Sequence, residues 1–176
     1  MAHLAIARAA LRWADEVLWI LPRVFPHKTF EGASFDDRRG MIRTLAASEP
    51  GHSAAVSDTN LHFQIAAEAR DSYGGHAEIA LVCGRDAVER IATWDYGRAG
   101  VFEEMLLAHP ILVAARQGTY QPDPRFLERI IPLELPKSFD EVSSSEIRSR
   151  IELGADWRGL VPDVIQARVE AAYRTP

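Results

Sequence analysis

The chain has 176 residues, of which 47% are hydrophobic and 26% are charged, close to the averages of soluble globular proteins. Its 20 Lys and Arg against 25 Asp and Glu give a formal charge of −5, so it lacks the basic surplus that nucleic-acid binding requires. The single Cys83 excludes an internal disulfide, and no apolar run reaches the roughly 18 residues of a membrane span. We therefore expect a cytoplasmic protein that binds neither nucleic acid nor a membrane.

Helical and strand-like segments alternate along the chain. A stripe of Leu4, Ala7, Leu11 and Ala14 predicts a first helix, and the unbroken apolar run 17–21 predicts a strand covered on both faces. Further strands are predicted at 54–56, 79–83, 111–115 and 130–133, the last at a sheet edge because it contains a proline. Helices are predicted near 37–48, 61–72, 86–93 and 99–107.

The chain closes with two further helices. Ser143 and Glu146 have the spacing of a capping box, Gly154 stands where a helix ends, and Pro162 fits the first turn of the final helix. Strands that alternate with helices indicate βαβ units and hence a parallel sheet. We expect an α/β protein with a doubly wound, Rossmann-like parallel sheet, a C-terminal helical end and a single domain over residues 1–176.

Several common chemistries have no motif in this sequence. It contains neither a dinucleotide fingerprint, nor a P-loop, nor a nucleophile elbow. Its six histidines are scattered, which argues against a protein-bound metal. Cys83 falls inside a predicted buried strand, and we interpret it as a packing residue.

Three polar segments follow predicted strands or begin a helix. They are Pro26–Lys28, Gly84–Asp86 with Trp94 eight residues beyond Asp86, and Val142–Arg148. Ligands of doubly wound sheets bind beyond the carboxyl ends of the strands. Cations, a carboxylate suited to ribose hydroxyls and a helix N-terminus rich in serine would together form a nucleotide phosphate site.

Each segment also has an interpretation that needs no ligand. The Pro26–Lys28 segment can be a solvated loop, and Asp86 can cap the helix that follows it. Trp94 can be a core residue, and the serine run can be a helix cap alone. The order and spacing of the three segments favour the ligand site.

The order of these motifs resembles the nucleotidyltransferase superfamily with the HxGH signature, and most closely the bacterial nicotinate-nucleotide adenylyltransferases. The segment HLAIARAAL is similar to the residues that follow that signature. PHK and the later DDRRGM are similar to the family's P-H-[KR] and R-x-x-M motifs. VCGRDAVERIATW is similar to the family's G-x-D-x7-W segment. ARQG, VSSSEIRSRI and LVPDVIQARV resemble its R-P-G turn, its I-S-S-T-x-I-R helix start and its closing V-P-x-x-V helix.

The resemblance implies adenylyl transfer from ATP, with Mg²⁺ carried by the ATP, to nicotinate mononucleotide, giving deamido-NAD and pyrophosphate. Positioning and charge stabilisation would drive such a reaction without a protein nucleophile. The implied catalytic residues are His3, Lys28 and Arg148. Implied ATP ligands are Gly84, Asp86, Ser143, Ser144, Ser145 and Arg148, and implied acceptor ligands are His27, Lys28 and Trp94.

The sequence departs from the family pattern in two places. Residues 60–64 replace the family's S-Y-T-x-D-T-L segment, and Ala2 replaces the glycine before the second signature histidine. Because the first strand of the superfamily is missing before His3, we expect the natural protein to begin roughly fifteen to twenty residues upstream. Two alternatives stay open: another acceptor, such as nicotinamide mononucleotide or phosphopantetheine, and a nucleotide-binding module without catalysis.

Overall fold

A computed structural model gives the structure of the chain and describes residues 1–24, 32–115, 120–135 and 143–173. Numbered in chain order, the elements are α1 (Ala2–Ala10), β1 (Val17–Pro22), α2 (Phe35–Ser48), β2 (His52–Ser57), α3 (His62–Ser72), β3 (Leu81–Gly84), α4 (Arg85–Thr93), α5 (Val101–Ala108), β4 (Ile111–Ala114), β5 (Ile130–Leu133), α6 (Ser144–Glu152) and α7 (Asp163–Tyr173). The chain forms two compact units, Met1–Asn60 with Ser138–Pro176, and Leu61–Lys137. None of the described helices is long and apolar enough to cross a membrane.

The first unit contains a parallel pair of strands covered by helices. β1 lies beside β2 from the pair Val17 and His52 to the pair Pro22 and Ser57. The strands contact α2, which in turn contacts α7. A Cβ at Gly40 in α2 would lie 2.8 Å from a guanidinium nitrogen of Arg168 in α7, so a side chain there would displace the end of this flexible arginine. A small core lies around α6 and α7 and contains Ile151, Trp157, Val161 and Val169.

The second unit contains a parallel sheet of three strands in the order β3-β4-β5. All four residues of the central strand β4 are buried, as its uninterrupted apolar run predicts. Pro132 lies in the edge strand β5, which pairs with β4 on one side only. A proline lacks the N–H that a strand paired on both sides needs, so it is tolerated at such an edge. The core of this unit consists of Phe63, Val88, Phe102, Leu106, Ile111, Val113 and Ile130.

The α/β class, the parallel strands and the predicted order of elements are confirmed, while the bounds of several elements differ from the prediction. Helix α1 ends at Ala10, since the N–H of Trp13 already turns back to the Ala10 carbonyl, and Ala14 lies exposed outside the helix. Strand β3 begins only at Leu81. The carbonyl of Ile79 lies 3.2 Å from the Nδ1 atom of His109, so a side chain takes the place of a ladder partner there.

The strands form two separate sheets. Within the described part of the chain, β1 pairs only with β2, and β3 pairs only with β4. Val82 in β3 is 39% exposed, in contrast to the buried residues of β4. The extent of a single domain over 1–176 stays a prediction.

Candidate active site

The junction of β3 and α4 carries the most distinctive predicted motif. β3 ends at Gly84, which has extended backbone angles and forms the N-cap of α4. Asp86 lies in the first helical turn, with its side chain 89% exposed and 3.8 Å from the guanidinium of Arg85. Because the capping position belongs to Gly84, Asp86 is not the cap of its helix. Its carboxylate faces solvent, where a ribose could reach it.

Trp94 is the C-cap of α4 and is 63% exposed. A tryptophan that stabilised the core would be buried, as Trp157 is with 5% of its surface exposed. In this structure the indole of Trp94 is therefore not part of a buried core. An exposed indole offers a flat apolar face on which an aromatic ligand ring can stack.

Substituting Gly84 tests whether a ligand passes close to this backbone. Apart from its chain neighbours, no atom of the described residues lies within 4 Å of the position a Cβ would take at Gly84, and its φ of −78° is open to any residue. We therefore expect Gly84→Ala to leave the melting temperature unchanged within about 2 °C, since surface substitutions of this kind cost little. If nucleotide lies against Gly84, calorimetry will show weaker ATP binding by this variant. Unchanged ATP affinity would contradict the assignment.

The N-terminus of α6 holds the predicted serine run. The Oγ of Ser143 accepts the N–H of Glu146 at 3.1 Å, so Ser143 is the N-cap. The carboxylate of Glu146 accepts a hydrogen bond from Nε of Arg150 at 2.7 Å. Ser143 therefore has a structural role as the cap of α6.

Two other groups of this segment contact each other. Nη2 of Arg148 donates to Oγ of Ser145 at 3.2 Å, one turn earlier on the helix. Ser144 and Ser145 are exposed at the first turn, where free N–H groups and the helix dipole attract anions. The sequence-predicted hydroxyls and guanidinium thus lie together on one helix start.

The remaining predicted residues lie near the start of the chain. His3 is exposed in the first turn of α1, next to the amino group of Met1, which donates to the carbonyl of Leu160 at 2.7 Å. His27 and Lys28 lie outside the described residues. The described residues contain no group of three or more His, Cys, Asp or Glu side chains that could hold a metal ion.

The thiol of Cys83 is unsuited to covalent catalysis. Burial raises the pKa of Cys83 to about 12, so the thiol carries its proton at neutral pH. This agrees with its interpretation as a packing residue beside the core of the second unit.

A thiol reagent offers a direct check of Cys83. On the order of one molecule in ten thousand would carry the thiolate at pH 8, so we expect very slow labelling of the folded protein. Unfolding in guanidinium should make the reaction fast, and this serves as the control. Rapid labelling of the folded protein at pH 8 would contradict the prediction.

Sequence reasoning missed two features of the described residues. One is the pKa of His62, the first residue of α3, which is lowered by burial first and by the charge of Arg90 on α4 second, and which no local sequence signal indicates. The other is a cavity of about 330 Å³ in the first unit, which contains no residue assigned to nucleotide binding. Its lining consists of Leu21, Arg39, Ile42, Arg43, Ala54, Ala55 and Val56.

Known proteins share this sequence pattern and this fold. The model of the cytidylyltransferase-like family matches residues 1–150. A probable nicotinate-nucleotide adenylyltransferase from Anaeromyxobacter dehalogenans is 34% identical, over 97% of this chain and 87% of its own length. Another with that name, from Stenotrophomonas maltophilia, is 27% identical, over 100% of this chain and 92% of its own length.

Among solved structures, the fold is similar to that of Plasmodium falciparum nicotinic acid mononucleotide adenylyltransferase complexed with APC. The TM-score is 0.63 and the identity is 16%, over 98% of this chain and 91% of the other. This likeness concerns the fold, whereas the family match and the 34% identical relative concern the sequence. The chain therefore belongs to the cytidylyltransferase-like family of nucleotidyltransferases, in its nicotinate-nucleotide adenylyltransferase branch.

Proposed function

We propose that the protein transfers the adenylyl group of ATP to nicotinate mononucleotide. A phosphate oxygen of the mononucleotide attacks the α-phosphorus of ATP and forms a new P–O–P bond. The bond from the α-phosphorus to the oxygen that bridges it to the β-phosphate breaks, and pyrophosphate leaves with that oxygen. The products are deamido-NAD and pyrophosphate, and no bond to the protein forms at any stage.

The observation that carries this proposal is the segment from Gly84 to Trp94, in which Asp86 and Trp94 are exposed. It keeps the family's glycine, carboxylate and indole at the family spacing, and the carboxylate and indole face solvent. A packing motif would bury the indole, and a capping motif would engage the carboxylate of Asp86. The protonated thiol of Cys83 supports a direct transfer, since it offers no nucleophile.

The donor, ATP, would be held mainly by backbone and hydroxyl groups. Ser144, Ser145 and Arg148 would bind the β- and γ-phosphates at the start of α6, which is supported by the contact between Ser145 and Arg148. Gly84 and Asp86 would receive the adenosine ribose, and His3 would touch the triphosphate. Mg²⁺ would arrive with ATP as part of the substrate and offset its negative charge.

Catalysis would consist of positioning and electrostatic stabilisation. His3, Lys28 and Arg148 are the proposed catalytic residues, because N–H donors and cations beside the phosphates stabilise the charge that grows on the leaving pyrophosphate. The proposed acceptor ligands are His27, Lys28 and Trp94. Of these, Trp94 would stack on the pyridine ring, which is supported by its exposed indole.

Pyrophosphate release, measured with ATP and each candidate acceptor, tests the proposal. We expect turnover with nicotinate mononucleotide to exceed turnover with nicotinamide mononucleotide or phosphopantetheine. Calorimetry with ATP alone completes the test: ATP binding without turnover of any acceptor would favour the non-catalytic module. Faster turnover of phosphopantetheine would assign the protein another acceptor.

A further inference from the structure

A cavity of about 330 Å³ lies between helix α2 and the strand pair of the first unit. Leu21 of β1 and Val56 of β2 are register partners, and Ala54 precedes Val56 by two residues, so these three side chains share one face of the sheet. Ile42 of α2 lines the cavity from the helix side, which makes its inner wall apolar. Ala54 contributes only a methyl group, whereas a larger side chain there would fill part of the space. The volume lies within the range of small-molecule sites, roughly 300–1,000 Å³.

The outer edge of the same cavity is positively charged. Arg39 and Arg43 both line it and are exposed, and they lie one turn apart on the same side of α2, about 6 Å along its axis. Arg39 is 3.0 Å from the carboxylate of Asp36, which offsets its charge. Arg43 has no hydrogen bond or ion pair with any other residue that the structure describes. The edge therefore carries one guanidinium whose charge no described carboxylate offsets.

The stability of α2 does not account for two cations at this spacing. Like charges four residues apart on a helix repel each other and weaken the helix. Arg150 on α6, by contrast, has Glu146 four residues before it and bonds to its carboxylate at 2.7 Å. The difference between the two helices points to an anion from outside the chain as the partner of Arg43.

The two parts of the cavity fit a ligand that combines an anionic group with a short apolar chain. A guanidinium binds a carboxylate with two parallel charge-assisted hydrogen bonds, and an apolar chain would leave water against the inner wall. A single unbalanced guanidinium matches one negative charge, which favours a carboxylate over a doubly charged phosphate ester. An inorganic anion would use only the charged edge, and an uncharged chain would use only the apolar wall.

We propose that this cavity binds a small aliphatic monocarboxylate, with the carboxylate on Arg43 and the chain against the apolar wall. The site is separate from the one proposed for nucleotides, because none of the residues that line the cavity is a proposed ligand of ATP or of the acceptor. The proposal is therefore independent of the proposed function, and it adds a second ligand to this chain.

Calorimetric titration with octanoate tests the proposal, and acetate and 1-octanol are the probes that lack the chain or the charge. We expect the wild type to bind octanoate at least about tenfold more tightly than acetate or 1-octanol, because only octanoate uses both parts of the cavity. Arg43→Gln should weaken octanoate binding about tenfold, and Arg43→Lys should keep part of the affinity. Arg70→Gln is the matched control, because it removes the same charge from an exposed arginine on α3, outside the first unit.

A second variant tests the apolar wall. Ala54→Leu should weaken octanoate binding and leave acetate binding unchanged, since the added side chain takes the space of the ligand chain. Circular dichroism and melting temperatures show which variants are folded. Because Arg43 is exposed, Arg43→Gln carries the test even if Ala54→Leu does not fold.

The same titration in saturating Mg-ATP separates this cavity from the nucleotide site. Octanoate binding that falls in Arg43→Gln but not in Arg70→Gln, and that persists with Mg-ATP, supports the proposal. The proposal is overturned if the wild type does not bind octanoate, if wild type and Arg43→Gln bind it equally, or if Mg-ATP displaces it. Pyrophosphate release does not enter this test, so failure of the proposed function would leave the second site standing.

Discussion

Replacing Arg148 with alanine is expected to weaken ATP binding roughly tenfold to a hundredfold, because a charge-assisted contact to phosphate contributes ~1.5–3 kcal/mol. The guanidinium already contacts Oγ of Ser145 at the start of α6. It therefore needs little reorganisation before it meets a triphosphate at that helix end. Calorimetry with Mg-ATP measures the affinity, and thermal shift with Mg-ATP provides a second readout.

Two further variants separate a phosphate contact from a general effect on the helix. Arg150, two residues later on α6, is bonded to Glu146 and to the carbonyl of Asp156, so Arg150→Ala removes the same charge from a structural position. We expect Arg150→Ala to lower stability slightly and to change ATP affinity less than Arg148→Ala does. Arg148→Lys should keep part of the affinity, because it retains the charge without the planar fork. Equal ATP affinity in wild type and Arg148→Ala would disprove the assignment.

The sequence pattern was sufficient to predict the secondary structure wherever local signals and burial agree. The run 111–115 is apolar without interruption and forms the buried central strand β4. Pro132 correctly predicted a sheet edge, because a residue without an N–H is confined to such positions. The start of β3 could not be predicted, since it depends on the imidazole of His109, a residue about 30 positions away, at the carbonyl of Ile79.

Parts of the candidate site were predictable because its motifs are local. Ser143 caps α6 as its type and position predict, and Trp94 lies exposed at the position that the family spacing gives it. The partner of Glu146 was not predictable from the capping-box pattern, because Arg150 one turn later competes for the same carboxylate. The lowered pKa of His62 was not predictable either, since its causes, burial first and the charge of Arg90 second, depend on tertiary packing.

Replacing Trp94 with alanine is expected to raise the acceptor KM roughly tenfold while leaving the fold intact, because aromatic stacking contributes on the order of 1–3 kcal/mol per ring. The indole is 63% exposed, so its removal opens no internal cavity. The KM for ATP should change far less, since the proposed ATP ligands are other residues. Steady-state kinetics with each substrate varied in turn measures both values.

The same chain provides the matched control, because Trp157 is a tryptophan that is 95% buried in the core of the first unit, with 5% of its surface exposed. Trp157→Ala should cost about 3–5 kcal/mol of folding free energy and lower the melting temperature by on the order of 10 °C. Trp94→Ala should lower it by about 2 °C or less, as an exposed substitution does. The two variants should therefore show opposite patterns. Trp94→Ala should lose acceptor binding with normal stability, and Trp157→Ala should lose stability without a specific effect on acceptor binding. A large drop in the melting temperature of Trp94→Ala with an unchanged acceptor KM would show that this indole is a structural residue.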